Sequence, residues 1–495
     1  RTPAAGAAAN ATRHGDEVSV IDELGRLSFA EVHRRTNALA NGMGEAGIAE
    51  GDRVAVMCRN SRYFVDAVIA CSKLGADAVL LNTDFAGPQI VDIVKREKVR
   101  AVIYDEEFAE LLAEAGTRRK RFVAWTDGDP KDPTLEELIA DSDDSDPEPP
   151  DKPGRQIILT SGTTGTPKGA SRPPISSLDP LIAILSAIPF KTRETHFIVA
   201  PMFHSWGFFH FSLSFLLATT IVLRRRFDPE RTLSTIAEHA AQSAPMVPVM
   251  LQRIMELPDA VRRRYDLSSL RAVPLSGSAI PGDLAIRFMD DFGDVVYNLY
   301  GSTEVGYASI ATPEDLRDAP GTAGRVPYDT VVKILDDKGK ELPQGEIGRI
   351  FVGSDVLFEG YTSGGNKEMV DGLMSTGDVG SFDEDGRLFV TGRDDEMIVS
   401  GGENVFPREI EDLLATHSSI ADAAVIGIPD EKFGQRLKAF VVPRDGNTLS
   451  EDDVRDYVKR HLARFKVPRE VEFLDELPRN PTGKVLKRVL AEREK

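Results

Sequence analysis

Residues 156–169 read Gln-Ile-Ile-Leu-Thr-Ser-Gly-Thr-Thr-Gly-Thr-Pro-Lys-Gly. The apolar start predicts a strand, and the rest cannot continue one. A run of glycine, serine and threonine after a strand presents backbone N–H groups and hydroxyls to phosphate oxygens. Lys168 adds a cation. This is not a Walker A loop, because proline stands at 167 where that pattern has glycine before the lysine.

The chain before the loop alternates in pattern. Ser28 and Glu31 have capping-box spacing, followed by an apolar face through Val32, Leu39 and Met43. Residues 53–58, 77–81 and 100–104 read as strands, 63–74 as a helix, and 90–94 as the start of another. That alternation predicts parallel sheet packed with helices. Residues 141–154 shift to Asp, Ser and Pro and predict a solvated linker loop. The last hundred residues differ. Residues 407–414 read as a helix and 423–428 and 438–442 as strands. Ser450 and Asp453 cap a helix with Val454, Tyr457, Val458 and Leu462 inward, and 470–474 reads as a third strand. This is the order of a compact α+β domain. The expected fold class is therefore α/β. A large N-terminal domain of parallel-rich sheets packed with helices is joined to a small α+β C-terminal domain.

Hydrophobic residues are 41% of the 495, enough for a large core, and the net charge is -19. Such acidity argues against a nucleic-acid partner, which needs a broad basic surface. Cys58 and Cys71 are the only cysteines and fall in core-like runs. A reducing, cytoplasmic location is expected. Residues 206–223 carry no formal charge and are followed by Arg224, Arg225 and Arg226. The polar His210, Ser212, Ser214, Thr219 and Thr220 favour a buried helix followed by a strand over a membrane span. Membrane contact is expected to be peripheral at most, and Arg224–Arg226 to form a solvated turn. The first residue is arginine, so the natural start is expected upstream.

Four further motifs carry chemistry. In Tyr300-Gly-Ser-Thr-Glu304, a tyrosine face can stack on adenine, and Thr303 can reach a phosphate or carboxylate oxygen. Glu304 is a hard oxygen ligand suited to Mg²⁺. In Ser375-Thr-Gly-Asp378, a carboxylate can accept both ribose hydroxyls. Gly392 to Pro407 holds Arg393, Asp395, Ser400, Gly401 and Gly402. Pro478-Arg-Asn-Pro-Thr-Gly-Lys484 sets a lysine near the end of the chain. Taken singly, each reads as a turn or a solvated charge.

Together, and in this order, the motifs resemble the adenylate-forming superfamily of acyl-CoA synthetases, firefly-luciferase-like enzymes and nonribosomal-peptide adenylation domains. The likeness is greatest to bacterial fatty acyl-CoA synthetases. It implies an ATP-dependent acid–thiol ligase that makes acyl-AMP and then acyl-CoA, with ATP, Mg²⁺ and coenzyme A. It implies phosphate contacts from Thr160, Ser161, Gly162, Thr163, Thr164, Gly165 and Lys168. Gly277, Ser278, Ala279 and Asn298 would stand on the adenine side, beside Tyr300, Gly301 and Thr303. Asp378 would bind ribose, Arg393 ribose and phosphate, and Glu304 the metal. Ser400, Gly401 and Gly402 would line a pantetheine tunnel, with Phe465, Lys466 and Arg469 near the CoA nucleotide. Lys484 would be the catalytic lysine and His204 an acyl gate. Asp395 would be the hinge between a domain of residues 1–394 and a lid of residues 395–495. A medium- or long-chain fatty acid is the favoured substrate. An aryl or other acid, or delivery to a separate carrier protein, stays open, as does a homodimer. Only residues 485–495 follow Lys484, so no fused carrier domain is expected.

Overall fold

The computed structural model describes residues 2–160, 168–171, 179–362, 364–400, 403–430, 434–444, 449–480 and 483–493. The alternation in the first third gives a seven-stranded sheet. Its order is Gly360–Tyr361, Lys168–Ser171, Gln156–Thr160, Asp77–Leu80, Arg53–Met57, Ala101–Tyr104, Lys120–Val123. The strands from Gln156–Thr160 onward are mutually parallel, and the first two are antiparallel. Helices Phe29–Glu45, Arg62–Leu74 and Gly87–Arg96 have the predicted places. The Ser28–Glu31 capping box is formed in both directions.

A second sheet joins Gly25–Ser28, Val18–Asp22, Thr220–Val222 and Thr195–Phe197. Single parallel bridges at Ser243 and Met246 lead from it to Val273–Leu275, Val296–Tyr300 and Ser309–Ala311. Antiparallel strands Thr330–Leu335, Gly348–Ser354, Leu373–Phe382 and Leu388–Arg393 form a third layer. The final sheet takes Ile398–Ser400, Glu403–Val405, Ile420–Asp430, Gly434–Pro443 and Glu470–Phe473, flanked by helices Pro407–Ala415 and Glu451–His461. The α/β class, with a large N-terminal and a small C-terminal unit, is the one expected. Among the described residues, no hydrophobic cluster has members on both sides of Arg393.

Residues 206–223 resolve as a helix, Ser205–Leu217, and a strand, Thr220–Val222. Among the described residues, no helix is long and apolar enough to cross a membrane. Cys58 and Cys71 are buried and unpaired.

Arg224–Arg226 is a turn in which Arg226 is 68% exposed, as expected, while Arg225 is held by more than solvent. Arg225 lies 4.4 Å over the Trp125 ring and 2.6 Å from Glu107, which also receives Arg59 and Arg226. The acidic stretch before the phosphate loop is irregular and mostly exposed, the solvated loop expected, and it is also tethered. Asn37 donates to Asp144 O at 3.0 Å and to Asp146 Oδ1 at 2.9 Å, and His33 pairs with Asp146. Helix polar groups thus replace the apolar burial that its composition lacks.

The strap ends at Gly154, where a Cβ would stand 2.0 Å from the Ala76 carbonyl oxygen. Backbone cannot yield as a side chain does. Gly154→Ala should cost about 1–3 kcal/mol in urea unfolding. An unchanged midpoint would show that the strap is loose.

Candidate functional site

One cleft of about 2200 Å³ is lined by residues from the central sheets and from the small C-terminal sheet. Strand Val296–Tyr300 ends at its rim. A Cβ at Gly301 would lie 2.1 Å from Gly306 O, so only glycine permits the sharp turn that follows. The Ser302 hydroxyl accepts from the backbone N–H groups of Glu304 and Val305 at 3.3 Å each. That local turn presents Thr303 and Glu304 to the cleft.

Asp378 comes from the third layer, with Arg393 as its cross-strand partner. The Tyr300 hydroxyl donates to Asp378 Oδ2 at 2.6 Å, and Arg393 Nη1 donates to Oδ1 at 3.3 Å. Only 15% of the Asp378 side chain is exposed. Burial raises its carboxyl pKa above the ordinary value. The Tyr300 hydrogen bond and the charges of Arg393, Lys484 and Arg408 pull the other way. Burial and the adjacent Asp378 together push the Tyr300 phenol well above its usual range, so it remains a donor.

Glu304 is buried, at 8% residue exposure, and its carboxylate accepts the Tyr361 hydroxyl at 2.9 Å on Oε1. Lys168 Nζ sits 5.1 Å over the Tyr361 ring. Thr303 Oγ1 donates to Ser205 Oγ at 3.3 Å. His204 precedes helix Ser205–Leu217 and caps it with no side-chain bond. Its Nε2 is buried with no hydrogen-bond partner among the described residues. Burial pulls the His204 pKa down to about 4, so the ring is neutral at neutral pH.

The C-terminal side of the cleft is a tight turn. Asn480 N–H donates to Lys484 O at 2.9 Å, and Lys484 N–H donates to Asn480 Oδ1 at 2.8 Å. Gly483 has φ +79°, and a Cβ there would meet Val249 Cγ1 at 2.4 Å. Nearby, Gln252 Nε2 donates to Ala421 O at 3.2 Å. These contacts hold exposed Lys484 where its charge reaches Asp378.

The sequence profile of AMP-binding enzymes matches residues 7–362, and that of the AMP-binding enzyme C-terminal domain matches residues 409–484. The chain belongs to the AMP-binding enzyme family. It is 32% identical to a CoA ligase of Rhodococcus jostii for a methyl-dioxo-octahydroindenyl propanoate, over 98% of this chain and 97% of that one. It is also 32% identical to a long-chain-fatty-acid–CoA ligase of Mycobacterium tuberculosis, over 94% and 93%. An anthranilate CoA ligase solved with anthranoyl-AMP has the same fold, with TM-score 0.90 at 24% identity. The match covers 100% of this chain and 97% of that one. The expected superfamily and the expectation of an AMP-forming enzyme both stand.

In this AMP-binding enzyme the structure brings together most of the residues singled out from sequence. Lys168, His204, Gly277, Ser278, Ala279, Asn298, Tyr300, Gly301, Thr303, Glu304, Asp378, Arg393 and Lys484 all line the cleft. Phe465, Lys466 and Arg469 do not. Lys466 instead pairs with Glu409 at 2.5 Å. Ser161 to Gly165, Gly401 and Gly402 lie outside the described residues. Thr160 and Ser400 are placed in strands by their backbone alone. Sequence reasoning missed Tyr361, Ser205 and Arg408. The Gly360-Tyr361 pair had no chemical signal of its own, and the contacts of Tyr361 come from two distant motifs.

Two outcomes follow for this enzyme. Gly483→Ala should displace the Lys484 turn and lower the adenylation rate about 100-fold, since misplacement by an ångström costs that much. Adding Val249→Ala should recover part of it, and no recovery would dissociate the contact from the rate. The second concerns His204. The unfolded ring takes a proton near pH 6.5 and the folded ring near 4, so the unfolded state binds more protons between those values. Stability attributable to His204 is therefore lost as pH falls from 6.5 toward 4. The unfolding free energy of His204→Phe, compared with wild type, should gain about 1–2 kcal/mol across that window. A pH-independent difference would contradict the assignment.

Proposed function

We propose that this enzyme activates a carboxylic acid with ATP as an acyl-adenylate and transfers the acyl group to coenzyme A. The observation that carries the reading is the convergence of Lys484 from one unit with Tyr300, Thr303, Glu304, Asp378 and Arg393 from the other, on one cleft.

In the first half-reaction a substrate carboxylate oxygen attacks the α-phosphorus and pyrophosphate leaves. No protein nucleophile is needed. Positioning and charge neutralisation lower the barrier. Asp378 accepts from the ribose hydroxyls, Arg393 spans ribose and phosphate, and the Tyr300 ring faces adenine. Gly277, Ser278, Ala279 and Asn298 border the base. Lys168 and the Ser161–Gly165 loop hold phosphates. Lys484 bridges the carboxylate and the α-phosphate as negative charge builds. Glu304 fits a Mg²⁺ ligand, being a buried carboxylate with one oxygen satisfied by Tyr361. When bound, Mg²⁺ supplies charge neutralisation at the phosphates.

In the second half-reaction the CoA thiol sulfur attacks the adenylate carbonyl carbon. AMP leaves, and the thiol proton is lost. Lys484 then has to vacate the space. The proposed pivot is Asp395, the boundary between residues 1–394 and 395–495. Asp394 is tied to Arg349 at 3.3 Å, whereas Glu396 is tied to Lys487 at 3.2 Å, and Lys487 to Glu411 at 2.9 Å. The residue between two such anchors is the natural joint. Phe465, Lys466 and Arg469 are assigned to the CoA nucleotide, and Ser400, Gly401 and Gly402 to its thiol arm.

The acyl end is read as a medium or long aliphatic chain. Helix Ser205–Leu217 carries no charged residue, and Trp206, Phe208, Phe209, Phe211 and Phe215 line the cleft. A substrate ammonium would find no counter-ion on that wall.

A panel of acids with ATP and CoA, read as AMP release and free acyl-CoA, tests the activity. Aliphatic acids should give both. AMP release without acyl-CoA would point to a carrier protein as acceptor. Lys484→Ala should lower pyrophosphate exchange by about 100- to 1000-fold while nucleotide still binds. Asp395→Pro should spare adenylation and block thioester formation. Equal loss of both steps would remove Asp395 from the hinge.

A further inference from the structure

The short segment 358–362 touches two motifs that are far apart in sequence. Strand Gly360–Tyr361 pairs with Lys168–Ser171, with Tyr361 opposite Ala170. Thr362 N–H donates to Gly169 O at 2.8 Å. On the other side, Phe358 N–H donates to the Glu304 carbonyl at 2.8 Å. The segment is therefore a strut between the strand that leaves the phosphate loop and the turn that carries Glu304.

Tyr361 uses both ends of its side chain in that strut. Its hydroxyl donates to Glu304 Oε1 at 2.9 Å, and its ring lies 5.1 Å beneath the Lys168 ammonium. The Phe358 ring meets it edge-on at 4.9 Å and fixes its plane. A phenol donating to one carboxylate oxygen sets the rotation of the carboxylate and leaves the other oxygen for a cation. The ring face attracts the ammonium and holds it on the same side.

We infer that Tyr361 is a positioning residue that orients Glu304 for the divalent cation and Lys168 for the phosphates, so that metal and nucleotide are received as one unit. The inference rests on the ATP-dependent reading above. Partners that orient a metal ligand are worth about 10- to 100-fold in metal affinity.

The test is Mn²⁺ binding to the full chain in the presence of α,β-methylene-ATP, followed by electron paramagnetic resonance. Binding of the same nucleotide without metal is measured in parallel. Tyr361→Phe keeps the ring and loses the donor. It should weaken Mn²⁺ binding about tenfold and leave metal-free nucleotide binding unchanged. Tyr361→Leu should lose both. Glu304→Gln separates the two levels of the account. If it weakens Mn²⁺ binding and Tyr361→Phe does not, the positioning role is wrong and the metal assignment survives. If neither variant moves Mn²⁺ binding, the metal assignment itself fails, and the inference with it. If Tyr361→Phe weakens metal-free binding as much as Mn²⁺ binding, the hydroxyl serves the fold and not the cation, which also overturns the inference.

Discussion

A carboxylate carried into a mostly apolar junction has to be held by donors, and Asp378 is the group on which this molecule converges. Its two oxygens are taken by Tyr300, from the end of a central strand, and Arg393, from the neighbouring strand of another layer. Leaving such a carboxylate unpaired costs several kcal/mol, of order 3–5. The pairing adds to the bridges Ile310–Arg325 and Gly324–Leu388, through which the two layers are also connected. Tyr300 leads straight into Thr303 and Glu304, and Arg393 leads straight to the joint with the small unit. One buried acid thus ties the strand end that carries Thr303 and Glu304 to the segment that leads into the C-terminal unit.

The lid itself is held lightly. No apolar cluster crosses from one unit to the other among the described residues. Contacts across the cleft among the described residues include a hydrogen bond from Gln252 and the approach of Gly483 to Val249. Both can release without exposing a core, which suits the proposed departure of this unit once adenylate has formed. The ion pairs on either side of Asp395 act differently. They anchor the neighbours on either side of the proposed pivot.

Much of this was legible from the sequence because the signals are local. Capping boxes at Ser28–Glu31 and Ser450–Asp453, strand–helix alternation and turn-forming glycines need only a few residues to declare themselves. The cleft-lining motifs declared themselves through their chemistry and order. What stayed hidden depends on which distant residues meet. Tyr361 reaches Glu304 across 57 positions, and Arg225 rests on Trp125 across 100. Neither partner carries a local pattern that names the other. The tethers of the solvated acidic stretch stayed hidden for the same reason. Its composition predicts solvation, and its order comes from Asn37 and Asn41 on a helix a hundred residues away.

Asp378, paired with Tyr300 and Arg393, is the proposed seat of the nucleotide sugar beneath Lys484. A crystal structure with an acyl-sulfamoyl-adenosine, a stable mimic of the adenylate, examines it directly. The account predicts ribose hydroxyls on the Asp378 carboxylate, adenine against the Tyr300 ring and the Lys484 ammonium at the sulfamoyl group. A sugar bound away from Asp378, with Lys484 turned from the ligand, would contradict it.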